Sequence, residues 1–227
     1  MGKPVILLGD CLEALKSMDD EIFDLVLCDP PYFDYKTGHR KDKTNKLSQS
    51  LVQQSREDMI EVVRECIKKL KQDRAFFFFT NWQEVWWMFP PFPGIWRNMI
   101  IWDKGNWTAG DLKGSFGNKY EIILLGAKGK GWEYKGGRLH DIWQIDRVGT
   151  QRIHPTQKPV ALYERIINIS TDEGTLIFDP YLGSGSSVIA AMKTGRNLLG
   201  YEIDEEYYRR IQERIAFFER EGKDAFD

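Results

Sequence analysis

Two clusters of residues in this chain have the types and spacing of a chemical site. The first is the segment Asp29-Pro30-Pro31-Tyr32, which follows a short apolar run at residues 23–28. Consecutive prolines fix the backbone, so the Asp29 carboxylate and the Pro30 carbonyl can converge as acceptors for an exocyclic amino group. Tyr32 offers a flat face on which a base can stack. Taken alone, such a segment is more typical of a rigid turn with an Asx-type hydrogen bond.

The second cluster is a glycine-rich turn at residues 179–185, between an apolar run and a helical pattern. Glycines let the backbone approach a ligand closely, and the start of a helix offers N–H groups. Glu202 ends the next apolar run, where an acid can bind ribose hydroxyls. We therefore expect a nucleotide-like cofactor, although such turns also serve as packing corners. The turn is not a P-loop, because no Gly-Lys-Ser/Thr follows it.

Alternating strand and helix patterns must position these two clusters. Helical patterns with apolar residues at three- and four-residue steps separate several of the apolar runs. This alternation predicts an α/β fold with a mostly parallel sheet covered on both faces. The predicted strands cover residues 5–8, 23–28, 75–80, 99–102, 122–125, 176–178 and 197–201, and the predicted helices cover 12–18, 56–70, 159–170, 186–194 and 205–221.

The two motifs together resemble those of the amino-group DNA methyltransferases, which transfer a methyl group from S-adenosylmethionine to adenine N6 or cytosine N4. In that family an Asp-Pro-Pro-Tyr segment is the catalytic loop, and a glycine-rich turn after a strand holds the cofactor. The catalytic segment comes first here, which resembles the circularly permuted β group. The resemblance spans nearly the whole chain. It implies a Rossmann-like fold with seven strands, in one methyltransferase domain over residues 1–227.

The same resemblance implies a set of site residues. Asp29, Pro30, Pro31 and Tyr32 are expected to be catalytic. Asp10 resembles the acid that contacts the cofactor adenine, although it could also cap the helix that follows it. The implied cofactor-binding residues are Asp10, His154, Thr156, Lys158, Phe178, Asp179, Pro180, Gly183, Ser184, Gly185, Ser186, Glu202 and Ile203. S-adenosylhomocysteine is the implied product.

Two long segments without periodicity are candidates for DNA contact. Residues 33–55 follow the catalytic segment, and there Arg40, Lys41 and Lys43 could clamp phosphates. Residues 128–152 occupy the family's recognition position, and their basic residues include Arg138 and Arg147. A solvated loop is the alternative interpretation of the basic stretch.

The expected chemistry is direct attack of a base amino group on the sulfonium methyl, with the target base flipped out of double-stranded DNA. The family resemblance favours adenine N6, because in that family Asp in the first position of the catalytic motif is more usual for adenine and Ser for cytosine. Cytosine N4 is the nearest alternative, followed by RNA methylation and a catalytically inactive DNA-binding module. A protein-glutamine methyltransferase is disfavoured, because those families place the cofactor motif first and usually have Asn before Pro-Pro-Tyr.

Composition excludes several other classes of protein. Hydrophobic residues at 42% and aromatic residues at 13% are typical of a globular chain, and the net charge of -2 argues against nonspecific coating of nucleic acid. Three scattered histidines and three separated cysteines form no metal constellation and no disulfide framework. No signal peptide or membrane span is evident, so a cytoplasmic location is expected, in a bacterial, archaeal or phage-infected cell. The family resemblance allows a homodimer.

Overall fold

The computed structural model describes residues 2–31, 54–108, 114, 116–149 and 152–226. Tyr32, Arg40, Lys41 and Lys43, which the sequence predicts to contact the substrate, lie outside the described residues. The same holds for nearly all of the predicted loop at residues 33–55.

The described strands form one mixed sheet. Its order is β1-β8-β7-β2-β3-β5-β4-β6, in which β5 runs antiparallel to both of its neighbours and all the other pairs are parallel. The strands are β1 (Pro4–Leu8), β2 (Phe23–Cys28), β3 (Leu70–Thr80), β4 (Trp96–Thr108), β5 (Asn118–Lys128), β6 (Ile142–Gln144), β7 (Leu176–Asp179) and β8 (Asn197–Glu202).

The sequence predicts seven strands, and this number is wrong for the described residues, which contain eight. The additional strand β6 lies within the segment 128–152, which lacks a recognisable period. β6 has only three residues, with the buried Trp143 between two exposed neighbours. Three residues are too few to show an alternating pattern. The strand forms because it pairs with β4 at the edge of the sheet, where Trp102 lies opposite Trp143.

The helices cover both faces of the sheet, as the alternation of patterns predicts. They are α1 (Cys11–Ser17), α2 (Arg56–Lys69), α3 (Val160–Ser170), α4 (Ser186–Lys193) and α5 (Glu205–Glu221), together with a short 3₁₀ helix at Val85–Met88. None of these helices combines the length and apolar character that crossing a membrane would require.

Strand β3 shows how one run of phenylalanines serves two cores. Phe76 and Phe78 pack on the face covered by α1 and α2, whereas Phe77 and Phe79 pack on the face covered by α3, α4 and α5. All four side chains are essentially buried. A strand places successive side chains on opposite faces, so a continuous apolar run is what a strand with two covered faces requires.

The centre of the sheet is the point at which the direction of strand addition reverses. From β2 the chain crosses through α2 to β3 on one side, and from β7 it crosses through α4 to β8 on the other. β2 and β7 are themselves parallel neighbours. A crevice opens outside the carboxyl ends of strands at such a switch point. Asp29 follows β2 and the glycine-rich turn follows β7, so the topology brings the two predicted motifs to one crevice.

Helix α2 is stabilised at its start by Ser55, whose Oγ accepts a hydrogen bond from Asp58 N at 3.1 Å and donates to Asp58 Oδ2 at 2.6 Å. We expect Ser55→Ala to lower the free energy of unfolding by about 1 kcal/mol, because it leaves an N–H group at the helix start without its acceptor. Urea unfolding measures this change. Ser17→Ala, at the exposed end of α1, is the control and should change stability by less than about 0.5 kcal/mol. Equal effects of the two substitutions would contradict the capping role.

Candidate active site

A cavity of about 360 Å³ lies at the carboxyl ends of the central strands. Its volume falls within the range of small-molecule and cofactor sites. Many of the residues singled out from the sequence line it. These are Asp10, Asp29, Pro30, Pro31, His154, Thr156, Pro180, Gly183, Glu202 and Ile203.

The Asp29 carboxylate lies in the wall of this cavity and is held from behind by a buried lysine. Lys158 Nζ lies 2.9 Å from Asp29 Oδ1 and 2.9 Å from Oδ2. The Tyr163 side chain on α3 is a further hydrogen-bonding partner of the carboxylate. Only 14% of the Asp29 side chain remains exposed. Its orientation is therefore set by groups from α3 and from the segment that precedes it.

Burial raises the pKa of the Asp29 carboxyl above its ordinary value, and the Lys158 ammonium opposes this rise. Burial also disfavours the charged form of Lys158, but the carboxylates of Asp29 and Glu121 outweigh it and raise the pKa of the ammonium. Lys158 is therefore charged throughout the physiological range. A cation beside Asp29 favours the ionised carboxylate, which can only accept hydrogen bonds.

Glu202 ties the glycine-rich turn to the end of β8. Its Oε2 accepts a hydrogen bond from Gly183 N at 2.7 Å, and its Oε1 accepts one from Asp204 N at 2.9 Å. Burial raises the pKa of Glu202 to about 6, against the opposing effect of these N–H groups. Each carboxylate oxygen has two lone pairs, so Glu202 can still accept bonds from a ligand in the cavity.

Gly183 and Gly185 have left-handed backbone conformations that shape the turn. Gly183 has φ +53°, and a Cβ added there would lie 3.7 Å from the His154 ring. Gly185 has φ +74°, and its Cβ would lie 2.8 Å from Ile211 Cγ2 on α5. A side chain at residue 185 would therefore both strain the backbone and push α5 away from the turn.

Asp10 caps α1, and its contact with the cofactor adenine stays a prediction. Its Oδ1 accepts a hydrogen bond from Leu12 N at 2.7 Å and so caps α1, while the residue also lines the cavity. Ile203, just past the end of β8, is 51% exposed and lines the same cavity. An apolar side chain exposed in a cavity wall suits a flat ring.

His154 contributes a neutral ring to the wall. Its Nδ1 accepts a hydrogen bond from Thr156 N at 3.3 Å, and the ring packs edge-on against Tyr207 with centroids 4.4 Å apart. Burial, together with the nearby cations Lys158 and Arg210, lowers the pKa of His154 to about 3. The ring is therefore uncharged at every pH at which the protein would be assayed.

Several predicted cofactor residues lie behind the cavity wall instead of in it. Asp179 is buried, where its Oδ1 accepts from Tyr181 N at 2.9 Å and its Oδ2 from Ser187 Oγ at 2.5 Å, and burial raises its pKa to about 7. Lys158 points its ammonium at Asp29. A direct cofactor contact stays a prediction for the residues of this group, which are Lys158, Phe178, Asp179, Ser184, Gly185 and Ser186.

Other lining residues did not emerge from the sequence, because the contacts that bring them together span the chain. Tyr181 donates from its hydroxyl to Gln54 Oε1 at 2.6 Å, and 127 positions separate the two residues. The Asp204 carboxyl caps α5 and the Asp58 carboxyl accepts from the N-cap Ser55, and neither residue gave a separate signal. Tyr181 lies within the predicted turn at residues 179–185, although it was not singled out there. The other unpredicted lining residues are Gly9, Cys11, Leu12, Gln54, Asp58, Tyr201, Asp204 and Tyr207.

The charge of the cavity fits a cationic ligand. Five carboxylate side chains and no lysine or arginine are among its described lining residues; the five are Asp10, Asp29, Asp58, Glu202 and Asp204. S-adenosylmethionine has a sulfonium and an ammonium against one carboxylate, so it is a net cation with a nucleoside end. Glu202 and Ile203 are suited to hold the ribose and the adenine of such a ligand.

The three cysteines are free and buried, so cysteine does not supply a nucleophile here. Cys11 lines the cavity, but burial raises the pKa of its thiol to about 12, and Asp10 contributes in the same direction. A protonated thiol is a poor nucleophile. Any transfer in this cavity must therefore proceed without a cysteine adduct.

The two arginines predicted to contact DNA in the segment 128–152 are both exposed. Arg147 follows β6 and donates from its backbone N–H to Lys104 O at 3.4 Å. Arg138 lies in the loop before β6. Neither residue lines the cavity, so both remain candidates for contact with a larger substrate.

Comparison with known proteins identifies the kind of chain to which this site belongs. A family model described as DNA methylase, for N6 and N4 enzymes, matches residues 23–213. DNA adenine methyltransferase YhdJ of Escherichia coli (strain K12) is 26% identical to this chain over an alignment of 250 residues, gaps included. The alignment covers 90% of this chain and 80% of YhdJ.

Two solved structures share the fold. The M1.HpyAVI–SAM complex superposes with a TM-score of 0.69 at 20% identity, over 93% of this chain and 99% of that one. The cytosine-N4-specific PvuII DNA methyltransferase gives a TM-score of 0.73 at 17% identity, over 93% and 86%. The matched family uses S-adenosylmethionine. The chain belongs to the N6/N4 DNA methylase family.

Proposed function

We propose that this protein transfers the methyl group of S-adenosylmethionine to N6 of adenine in double-stranded DNA. The observation that carries the proposal is the Asp29 carboxylate, which lies in the cavity wall after β2 and is held by Lys158 at 2.9 Å. An ionised carboxylate accepts hydrogen bonds from an exocyclic amine. The similarity to YhdJ, a DNA adenine methyltransferase, supports adenine as the base.

The role of Asp29 follows from the chemistry of the amine. The lone pair of an exocyclic amino nitrogen is delocalised into its ring, which makes the nitrogen a weak nucleophile. Acceptors that bind both N–H groups favour a pyramidal nitrogen whose lone pair points out of the ring plane. We assign these acceptors to the Asp29 carboxylate and the Pro30 carbonyl. The nitrogen then forms its bond to the methyl carbon as the carbon–sulfur bond breaks, and the product nitrogen loses a proton.

S-adenosylmethionine supplies the methyl group, activated by its positive sulfur. In our proposal Glu202 binds the ribose hydroxyls, and Ile203 packs on the adenine, with Asp10 at the same end of the cavity. His154 and Thr156, together with Pro180, Tyr181 and Gly183 of the turn, form other parts of the wall. Because the cavity walls are acidic, they favour the cationic cofactor over its neutral product.

The target base must leave the duplex to reach Asp29, since a stacked base cannot enter a cavity of this kind. Flipping costs a few kcal/mol, which stacking on Tyr32 is expected to offset. Tyr32 lies outside the described residues, but it is only three positions beyond Asp29. The described strands all belong to one sheet, which supports the proposed single domain over residues 1–227.

The identity of the modified base tests the proposal. Purified protein is incubated with labelled S-adenosylmethionine and unmethylated duplex DNA, and the nucleosides are then separated and identified by mass spectrometry. We expect N6-methyladenine. N4-methylcytosine would overturn the choice of base while keeping the amine chemistry. Parallel reactions with structured RNA, and with no nucleic acid, test for a different acceptor.

Cytosine N4 is the second candidate, because the family and its fold include both activities. The cytosine-N4-specific PvuII enzyme covers 93% of this chain in three dimensions. An amino group on either base presents the same two N–H donors to Asp29. The mass of the methylated nucleoside separates the two candidates directly.

Salt dependence tests the predicted phosphate contacts. Replacing both Arg138 and Arg147 by Gln removes two cations, so the slope of log binding constant against log salt should flatten by about 1.8. The same reasoning gives a flattening of up to about 2.7 for Gln at Arg40, Lys41 and Lys43. Fluorescence anisotropy on a short duplex at several salt concentrations measures the slopes.

The control for this measurement removes arginines from other surfaces. Arg64 on α2 and Arg220 on α5 are both exposed, and their double replacement by Gln should leave the slope nearly unchanged. An unaltered slope in the Arg138/Arg147 variant would contradict the DNA contact there. An unaltered slope in the triple variant would return residues 40–43 to a solvated loop.

A further inference from the structure

A row of alternating charges runs from the β4–β5 pair of strands to the catalytic segment. Lys104 Nζ lies 3.3 Å from Glu121 Oε1, and Glu121 Oε2 lies 3.4 Å from Lys158 Nζ. Lys158 in turn contacts both oxygens of Asp29. The row therefore contains two cations and two carboxylates, and it ends in the wall of the cavity.

This row is buried at its two ammonium groups. The exposed fraction of the side chain is 3% at Lys158 and 9% at Lys104. Lys158 Nζ also lies 5.6 Å from the centroid of the Phe79 ring. Burial of an ammonium costs several kcal/mol unless anionic partners compensate it. Two carboxylates, from β5 and from the loop after β2, supply that compensation.

The position of Glu121 decides how Lys158 acts on Asp29. With Asp29 alone, Lys158 would form a closed ion pair in which the ammonium directs its full charge at one carboxylate. Glu121 Oε2 lies 3.4 Å from the same ammonium and therefore shares its charge with Asp29. Asp29 thus stays fixed in place but keeps more of its capacity to accept hydrogen bonds from a third group.

We propose that Lys158 and Glu121 are a positioning pair for Asp29, in which Lys158 orients the carboxylate at the cavity wall and Glu121 limits how far Lys158 neutralises it. This inference rests on the proposed amine methylation and deepens it. The sequence predicted a cofactor contact for Lys158, which stays a prediction, and a strand at residues 122–125, just after Glu121. The structure joins both side chains to the catalytic segment.

The groups facing Asp29 determine the sign of each expected effect. They are Lys158, Glu121, Tyr163, Asp179 and Cys28. Lys158 is the cation among them and lowers the pKa of Asp29, whereas the Glu121 carboxylate raises it. Loss of Lys158 should therefore make Asp29 harder to ionise, and loss of Glu121 should make it easier.

The test is a cycle of four proteins: wild type, Lys158→Gln, Glu121→Gln and the double variant. The first readout is the acid limb of kcat/KM for DNA at saturating S-adenosylmethionine, where protonation of Asp29 abolishes activity. We expect Lys158→Gln to move this limb upward by at least about one pH unit. In the double variant the limb should move back towards wild type, because the repulsion between two buried carboxylates is gone.

Three further variants complete the design. Lys158→Arg keeps the cation and should recover most of the activity lost in Lys158→Gln. Lys119→Gln and Glu213→Gln make the same changes of charge in exposed pairs with Asp103 and Arg209, and they should leave the pH profile unchanged. Calorimetry measures the S-adenosylmethionine affinity of every folded variant, so that a loss of cofactor binding is recognised separately.

A second readout is independent of turnover. The ¹³C signal of the Asp29 carboxyl, assigned by its loss in Asp29→Asn, reports its titration in the protein without DNA. The inference is overturned if the Asp29 carboxyl titrates in Lys158→Gln at the same pH as in wild type. It is also overturned if this carboxyl titrates at the same pH in the double variant as in Lys158→Gln. If Lys158→Gln does not fold, Glu121→Gln decides: an unchanged Asp29 titration would overturn the inference. A wild-type protein that methylates no DNA would refute the proposed function, while the carboxyl titration would still judge the positioning pair.

Discussion

Asp29→Asn is expected to lower the turnover number of methyl transfer at least about 100-fold. Asparagine has nearly the shape of aspartate, so its amide oxygen can keep one of the two contacts with Lys158. It replaces one acceptor oxygen by an NH₂ donor, however, and removes the negative charge. A donor facing the N–H groups of a base amine repels them instead of favouring a pyramidal nitrogen. Single-turnover transfer of labelled methyl to duplex DNA measures the effect.

Cofactor affinity in the same variant separates catalysis from binding. Asp29 is one of five carboxylates in the cavity, so the affinity for S-adenosylmethionine should fall only slightly. Asp19→Asn, at an exposed position between α1 and β2, is the matched control and should transfer methyl at the wild-type rate. If Asp29→Asn transferred methyl at a rate near that of wild type, Asp29 could not be the acceptor for the amine.

Glu202→Ala is expected to weaken S-adenosylmethionine binding at least about tenfold, measured by calorimetry. The carboxylate is the proposed acceptor for the ribose hydroxyls, and a hydrogen bond to a charged group contributes about 1.5–3 kcal/mol. The substitution also leaves Gly183 N and Asp204 N without their acceptor, which loosens the turn that borders the cofactor. Glu205→Ala, at the exposed start of α5, is the control. Unchanged affinity in Glu202→Ala would contradict the ribose role.

The same residue predicts the pH dependence of cofactor binding. Because the pKa of Glu202 is raised to about 6, its carboxylate is mostly ionised at pH 7.5 and mostly protonated at pH 5. Binding to the ionised form should therefore weaken as the pH falls through 6. His154 stays neutral over this range, since its pKa is lowered to about 3. The pH dependence of S-adenosylmethionine affinity should flatten in Glu202→Gln. A pH dependence that survives this substitution would come from another group, and Asp179 is the first to test.

Local patterns were sufficient to predict most of the fold. Each of the seven predicted strands and five predicted helices lies within or overlaps an observed element, because a sheet with two covered faces requires apolar runs that are easy to recognise. β6 escaped prediction because its pairing with β4 sustains it and no local period does. The two motifs met at one crevice because both follow parallel strands that are neighbours in the sheet.

The partners of the site residues were much harder to predict. Lys158 reaches Asp29 across 129 positions of the chain, and the sequence contains no sign that the two are neighbours. Glu121 is similar, since it stands at the start of a buried strand segment and its neighbours suggest only packing. Side chains that act through another side chain have no spacing rule of their own. Their roles follow from the sheet order, which the sequence alone left undetermined.

The strand order also has a consequence for how the chain matures during synthesis. β2 is made early, but its neighbour β7 is separated from it by about 150 positions, and β1 pairs with β8 from nearly 200 positions away. Contacts between such distant segments form late and slow folding. The ribosome must therefore release residues up to Glu202 before the pocket can close. Until then the early strands expose apolar faces, so a nascent chain should depend on chaperones during that interval and gain protection from cofactor only afterwards.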